Sequence, residues 1–149
     1  MSELQRLVRI HYQGVNSGDL DMAGSVFAGD CENTSPYGTL TGIDAFRQMG
    51  EAFRAAAPDN RLEALRTWET GDTVIVEGLY TGTHTGPLAG PAGVIPPTGR
   101  SFSLPYVDIF QARDGKFVSH RIYMGQRHVP SSARRHARSR RRQRLTEPP

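Results

Sequence analysis

The chain has 149 residues, 37% of them hydrophobic and 22% charged, which suits one domain and is too short for two. No run of about 18 apolar residues is present, so we expect no membrane span, and the N-terminus lacks the apolar core of a signal peptide. The single cysteine, Cys31, excludes an internal disulfide framework and a multi-cysteine zinc site. Together these features predict a cytoplasmic protein with no membrane partner.

The net charge of +3 combines two segments of opposite sign. Residues 127–149 hold eight arginines and one acid, whereas residues 1–126 hold ten Lys and Arg against fourteen Asp and Glu. We therefore predict a domain over 1–126 and an Arg-rich disordered tail over 127–149. A nucleic-acid partner is not expected, because the basic residues of such a domain would be spread over a folded face. A nucleic-acid or acidic partner that binds through the tail alone stays open as an alternative.

Three amphipathic helices are predicted in the first part of the chain. Apolar residues recur every three or four positions between Ser2 and Val15, which indicates a helix. Asp19 can cap a second, short helix that Gly29 ends. Thr41 can cap a third helix, and Pro58 ends it.

The later part of the chain has the alternating pattern of strands. With one short strand ahead of the third helix, the predicted strands cover residues 31–35, 62–69, 73–85, 100–112 and 116–124. Residues 86–99, rich in Gly and Pro, are predicted to form a loop, and Asp114-Gly115 a two-residue hairpin turn. This order predicts an α+β fold, a curved antiparallel sheet with three N-terminal helices packed over its concave face and a pocket between them.

The hairpin turn at Asp114-Gly115 sets a register for the last two strands. It places Asp108 opposite Arg121 and Tyr106 opposite Tyr123, and it leaves His120 on the other face, at an interface or in solvent. The first face is aromatic with one ion pair, and it carries Phe102, Leu104, Tyr106, Asp108 and Phe110 beside Phe117, Arg121 and Tyr123. Such a face suits a small-molecule pocket. The alternative is a core face with a structural ion pair.

Two further histidines lie in patterned segments. His84, between threonines and glycines in the run Thr81 to Gly86, could act as a general acid or base. Alternatively, the run is a strand end where small residues permit a bend. His11 lies on the apolar stripe of the first helix and is interpreted as a hydrogen-bonded core residue. No metal-ligand spacing and no phosphate loop is present, so we predict no metal and no nucleotide cofactor.

The segments EGLYTGTHTGPLAG, PPTGRSFSLPYVDIF and DGKFVSHRIYM resemble the SnoaL-like polyketide cyclases, or ester cyclases, of the nuclear transport factor 2-like superfamily. The resemblance covers about residues 1–125. It implies an α+β cone with a deep apolar pocket, a polycyclic aromatic polyketide ester as substrate, and ring closure by an intramolecular aldol condensation without cofactor. It also implies a homodimer formed through the outer face of the sheet, and a carboxylate base at the end of the last strand.

The sequence departs from this family pattern at Gly125, which stands where the base carboxylate is expected. Asp108 is then the remaining acid on the pocket face, and Arg121 opposite it could hold a developing oxyanion. The side chains expected to orient the substrate are Tyr106, Tyr123 and His84. The alternative is a ligand-binding module that has lost catalysis. The Arg-rich segment after Met124 is either natural or the product of a shifted reading frame.

Overall fold

The computed structural model describes residues 1–36, 38–90 and 93–125, so the tail predicted over 127–149 lies outside the described residues. Three helices are present in this part: α1 (Glu3–Ser17), α2 (Leu20–Gly24) and α3 (Ile43–Ala56). The Ser2 hydroxyl accepts a hydrogen bond from the Gln5 amide at the start of α1, and Asp19 caps α2 in the same way. None of these helices is long and apolar enough to cross a membrane.

The described residues contain eight strands: β1 (Phe27–Ser35), β2 (Gly38–Thr41), β3 (Arg61–Thr70), β4 (Thr73–Thr83), β5 (Leu88–Gly90), β6 (Gly93–Ile95), β7 (Ser101–Arg113) and β8 (Lys116–Met124). Several boundaries differ from the prediction. The first strand begins at Phe27 rather than Cys31, and β2 was not predicted. The residue before α3 is Gly42 and no side chain caps this helix, so the predicted cap at Thr41 is wrong. The second helix ends at Gly24 rather than Gly29, because β1 already begins at Phe27. The segment predicted as a loop contains the small hairpin of β5 and β6.

Six strands form one curled sheet in the order β2-β1-β8-β7-β4-β3, with the helices packed against it. This confirms the predicted α+β class. The sheet is mixed rather than antiparallel, because β1 lies parallel to β8. No hairpin joins these two strands, so no turn in the sequence fixes their relative direction.

A β-bulge in the β7–β8 hairpin changes the predicted register. Arg113 lies opposite Lys116 as expected, but Val118 is an extra residue on β8 and shifts each later pair by one. Asp108 therefore lies opposite Ile122, and the predicted pair of Asp108 with Arg121 is wrong.

The core lies between the inner face of the sheet and the helices. Its fully buried side chains from the sheet include Val74 and Val76 of β4, Phe110 of β7, Phe117 of β8 and Cys31 of β1. The helices add Leu7, Val8 and Phe46. Around this core, alternation along β7 holds as predicted, and it turns Tyr106 and Asp108 inward beside Phe110.

Candidate functional site

The bulge at Val118 decides which side chains of β8 face inward. His120 is turned to the inner face and is only 2% exposed, so its predicted place on the opposite face is wrong. Arg121 and Tyr123 are turned outward, and Tyr123 is 53% exposed. The predicted pair of Tyr106 with Tyr123 is therefore also wrong, because Tyr123 lies opposite Val107.

The Asp108 carboxylate is 2% exposed and is held by two groups from different elements. Its Oδ2 accepts a hydrogen bond from the Tyr12 hydroxyl of α1 at 2.6 Å, and its Oδ1 lies 3.1 Å from Nε2 of His120. The Tyr106 hydroxyl in turn donates to the Tyr12 hydroxyl at 3.0 Å. Burial, more than the nearby charge, raises the pKa of both tyrosines, so each keeps its proton at neutral pH.

The other side of the His120 ring contacts β1. Nδ1 of His120 lies 3.1 Å from Oδ1 of Asn33, and these two residues are register partners in the parallel pair of β1 and β8. Because the amide oxygen can only accept, Nδ1 carries a proton in this arrangement. Five buried side chains thus form one hydrogen-bonded series: Tyr106, Tyr12, Asp108, His120 and Asn33. We call this series the buried network.

His11 belongs to α1, lies beside the buried network and is 3% exposed. Its Nδ1 is 2.9 Å from the carbonyl oxygen of Ala23, as expected for a hydrogen-bonded core residue. Burial, followed by the charge of nearby His120, lowers the pKa of His11 from its usual 6.5 to about 4. The ring is therefore neutral at pH 7, with its proton on Nδ1.

A pocket of about 110 Å³ lies between the inner face of the sheet and helices α1 and α3. Polar and charged side chains in its lining include Asp108, His120, Tyr106, His11, Asn60 and Arg54. Its apolar wall comes from Val15, Leu20, Phe46, Met49, Phe53, Leu62, Ile122 and Met124. A cavity of about 150 Å³ is known to hold benzene, so the enclosed space is on the order of a single ring.

The predicted site residues divide into three groups. Asp108 and Tyr106 line the pocket. Phe110 and Phe117 are fully buried core residues, while Phe102 and Leu104 pack at its edge. The outward-facing residues Arg121 and Tyr123 do not line the pocket, because of the bulge.

His84 also lies apart from the pocket lining. Its Nδ1 is 3.2 Å from the hydroxyl of Thr98, and its backbone is bonded to Gly99 and Arg100 just past the end of β4. His84 thus lies just past a strand end, and its role as a general acid or base stays a prediction.

Three residues of the buried network were not among the predicted site residues: Tyr12, Asn33 and His120. Tyr12 lies on the predicted apolar stripe of α1, but only the fold shows that its hydroxyl meets β7. Asn33 and His120 meet through the parallel β1–β8 pair, which no local pattern indicates.

Gly125 lies just past the end of β8, where its backbone N–H donates to the carbonyl oxygen of Pro105. A Cβ at this position would lie 2.6 Å from Cγ of Pro105, an exposed residue. A side chain at 125 would therefore point toward Pro105, whose neighbours Leu104 and Tyr106 face inward. Within the part of the chain that is described, Asp108 is the acid that lines the pocket, and no group of three metal-binding side chains is found there.

An α+β fold with an apolar pocket and a few convergent polar groups defines a class of small-molecule-binding domains. The family model of the SnoaL-like domain matches residues 8–120, so the chain belongs to this family of the nuclear transport factor 2-like superfamily. A search of the curated proteins found no significant match.

Solved structures with the same fold include three of interest. IdmH from Streptomyces antibioticus, a candidate polyketide cyclase, is 26% identical, with 80% of this chain and 90% of that chain covered and a TM-score of 0.69. AclR from Streptomyces galilaeus, a candidate hydroxylase, is 24% identical, covers 81% and 87%, and has a TM-score of 0.70. A candidate SnoaL-like polyketide cyclase from Jannaschia sp. CCS1 is 20% identical, covers 82% and 84%, and has a TM-score of 0.71.

Proposed function

We propose that the chain is a cofactor-independent cyclase that binds an aromatic polyketide ester in the pocket and closes a ring by an aldol-type reaction. The observation that carries this proposal is a buried carboxylate, Asp108, in the lining of an otherwise largely apolar pocket. Buried carboxylates and histidines in pockets are typical of acid–base chemistry. The similarity to IdmH supports the substrate class.

Asp108 is the proton acceptor in this proposal. A carboxylate has about four acceptor positions, and two contacts use part of them here, from Tyr12 and His120. Acceptor positions are therefore left for a proton removed from carbon next to the ester carbonyl. His120 takes the partner role that the sequence assigned to Arg121, because its Nε2 is hydrogen-bonded to Oδ1 of Asp108.

The apolar wall of the pocket supports the proton transfer to Asp108. Phe46, Phe53 and Met49 of α3 cover the inner face of the sheet at the pocket. Water is kept away from the carboxylate, and electrostatic interactions gain strength where the surroundings are less polar than water. Because the pocket volume suits one ring, the reacting ring of a larger ester would lie inside and the remainder outside.

The first test is product formation. The purified full chain is incubated with an aromatic polyketide methyl ester, and products are separated by liquid chromatography and identified by mass spectrometry. Asp108→Asn is expected to lower turnover by about 100-fold or more, the usual contribution of a general base. Glu77→Gln, the same change on the outer face of the sheet, is the matched control and should retain turnover. Equal turnover in the two variants would exclude Asp108 from the reaction.

A second candidate function is ligand binding without catalysis. Gly125 favours it, since the carboxylate implied by the family resemblance is absent there. In that case the full chain binds the ester, protects it in solution and forms no product. Binding by nuclear magnetic resonance titration, with the ester recovered unchanged, would distinguish this function from the first.

We also propose that two copies associate through the outer face of the sheet, and that the protein works in the cytoplasm. Trp68 is 49% exposed and Tyr123 is 53% exposed, and the register places Trp68 beside Ile75 on this face. The free, buried Cys31 is compatible with a reducing compartment.

A further inference from the structure

His11 is a polar side chain of the pocket that the proposed proton transfer does not use. It is contributed by α1 and lies against the aromatic rings of Phe27, Phe46 and Phe110. Its ring lines the pocket although it is 3% exposed. A buried imidazole facing a cavity has one nitrogen free for a ligand whenever the protein occupies the other.

The protein occupies Nδ1. Its partner, the carbonyl oxygen of Ala23 at 2.9 Å, can only accept a hydrogen bond, so the proton lies on Nδ1. The lowered pKa of about 4 keeps the ring neutral at pH 7, because burial disfavours the charged form. Nε2 therefore carries a lone pair, and none of the hydrogen bonds found within the described ranges reaches it.

Near His11, the pocket has a second hydrogen-bond acceptor, the Asp108 carboxylate. The Tyr12 hydroxyl donates a hydrogen bond to Asp108, and Nε2 of His120 is hydrogen-bonded to the same carboxylate. Neither group is therefore available to a ligand. The inner wall therefore offers the Asp108 carboxylate and Nε2 of His11 to a ligand. These two acceptors are complementary to a ligand that carries a hydrogen-bond donor on a ring, while Arg54 and Asn60 bring donors to other parts of the lining.

We infer that Nε2 of His11 accepts a hydrogen bond from a ring hydroxyl of the ligand, so that the pocket selects a phenol or enol over an isosteric ring without a donor. This inference rests on the proposed function, since it requires the pocket to bind a ligand. It names a substrate feature that the proton transfer itself does not need. His11 is then a specificity-determining residue.

The test uses phenol and fluorobenzene, two rings of similar size that differ in their donor. Burying a hydroxyl without a partner is unfavourable, so a pocket lacking an available acceptor prefers fluorobenzene. The full chain is labelled with ¹⁵N at histidine, and both probes are titrated at pH 7. Phenol is expected to shift the Nε2 resonance of His11, and fluorobenzene is expected to bind without that hydrogen-bond shift.

Two variants identify the acceptor. In His11→Leu, the affinity for phenol relative to fluorobenzene should fall by about two- to tenfold, the worth of one hydrogen bond. In Asp108→Asn, the Nε2 shift should persist, because it reports the hydrogen bond to His11 alone. If both probes bind but phenol leaves Nε2 unchanged, or if only Asp108→Asn loses the preference, the inference is wrong while the pocket proposal stands. If neither probe binds, both are overturned.

Discussion

At the scale of single residues, His11 makes the stability of the fold depend on pH. Its pKa is about 4 in the folded chain and near 6.5 when it is exposed. Between these values the unfolded chain binds a proton that the folded chain does not. The free energy of unfolding should therefore fall as the pH falls from about 6.5 to 4, by up to about 3 kcal/mol.

Urea unfolding between about pH 4.5 and 7 measures this effect. His11→Phe keeps a ring in the site and removes the titrating group, so the slope of unfolding free energy against pH should become shallower in this variant. The comparison uses slopes, because the lost bond to Ala23 changes the absolute value. Parallel slopes in the two proteins would show that His11 does not titrate differently on folding.

Asp108 shows what the sequence could predict at this scale. Alternation along β7 was enough to place it on the inner face beside Tyr106. Its partners were not predictable in the same way. Tyr12 reaches it from α1, 96 positions away in the chain, and His120 reaches it only because one strand residue is extra.

At the scale of elements, that extra residue is the main reason why the predicted site differed. The Asp114-Gly115 turn was a sound basis for the first two pairs of the hairpin, which follow the expected register. Val118 then forms a bulge, and its neighbours Phe117 and Ser119 give no glycine or proline signal of it. A shift of one residue moves every later side chain to the other face.

The contact of α1 with α2 is a second element-scale feature, and it depends on Gly14. A Cβ at this position would lie 2.3 Å from the backbone nitrogen of Ala23 and 2.6 Å from its Cα. Backbone atoms cannot rotate away, so α2 would have to move. Gly14→Ala should therefore destabilise the chain by about 1–3 kcal/mol, although alanine itself favours helix.

Gly29→Ala is the matched control, because a Cβ there would meet no atom within 4 Å. Thermal or urea unfolding of both variants gives the comparison. A second readout is the pH slope described for His11, since Gly14→Ala moves Ala23, the partner of that ring. If Gly14→Ala is as stable as Gly29→Ala, α1 and α2 do not pack as closely as described.

At the scale of the whole molecule, the α+β class and the SnoaL-like family follow from patterns spread over most of the chain. Helix stripes, strand alternation and turn residues all agree, which makes the prediction robust to single errors. The parallel β1–β8 pair was missed, because it joins segments about 90 residues apart without a turn. Family membership still leaves the chemistry open, since one fold supports many activities.

The proposed dimer is also a property of the whole molecule. Light scattering after gel filtration should give twice the chain mass, and Trp68→Glu should give a monomer, because it places a charge in the proposed interface. Thr67→Glu, at the neighbouring position of the same strand, serves as the control and should remain dimeric. A wild-type chain that elutes as a monomer contradicts association through this face.

Proton transfer to Asp108 is tested most directly by hydrogen exchange in heavy water. The full chain is mixed in D₂O with an aromatic ester whose acidic carbon lies next to the carbonyl, and deuterium uptake at that carbon is followed by nuclear magnetic resonance. This readout does not depend on ring closure. The wild-type chain and Glu77→Gln should incorporate deuterium at equal rates, and Asp108→Asn about 100-fold more slowly. Uptake at one rate in all three proteins, or uptake by none of them while the ester is bound, would contradict the assignment of Asp108 as the base.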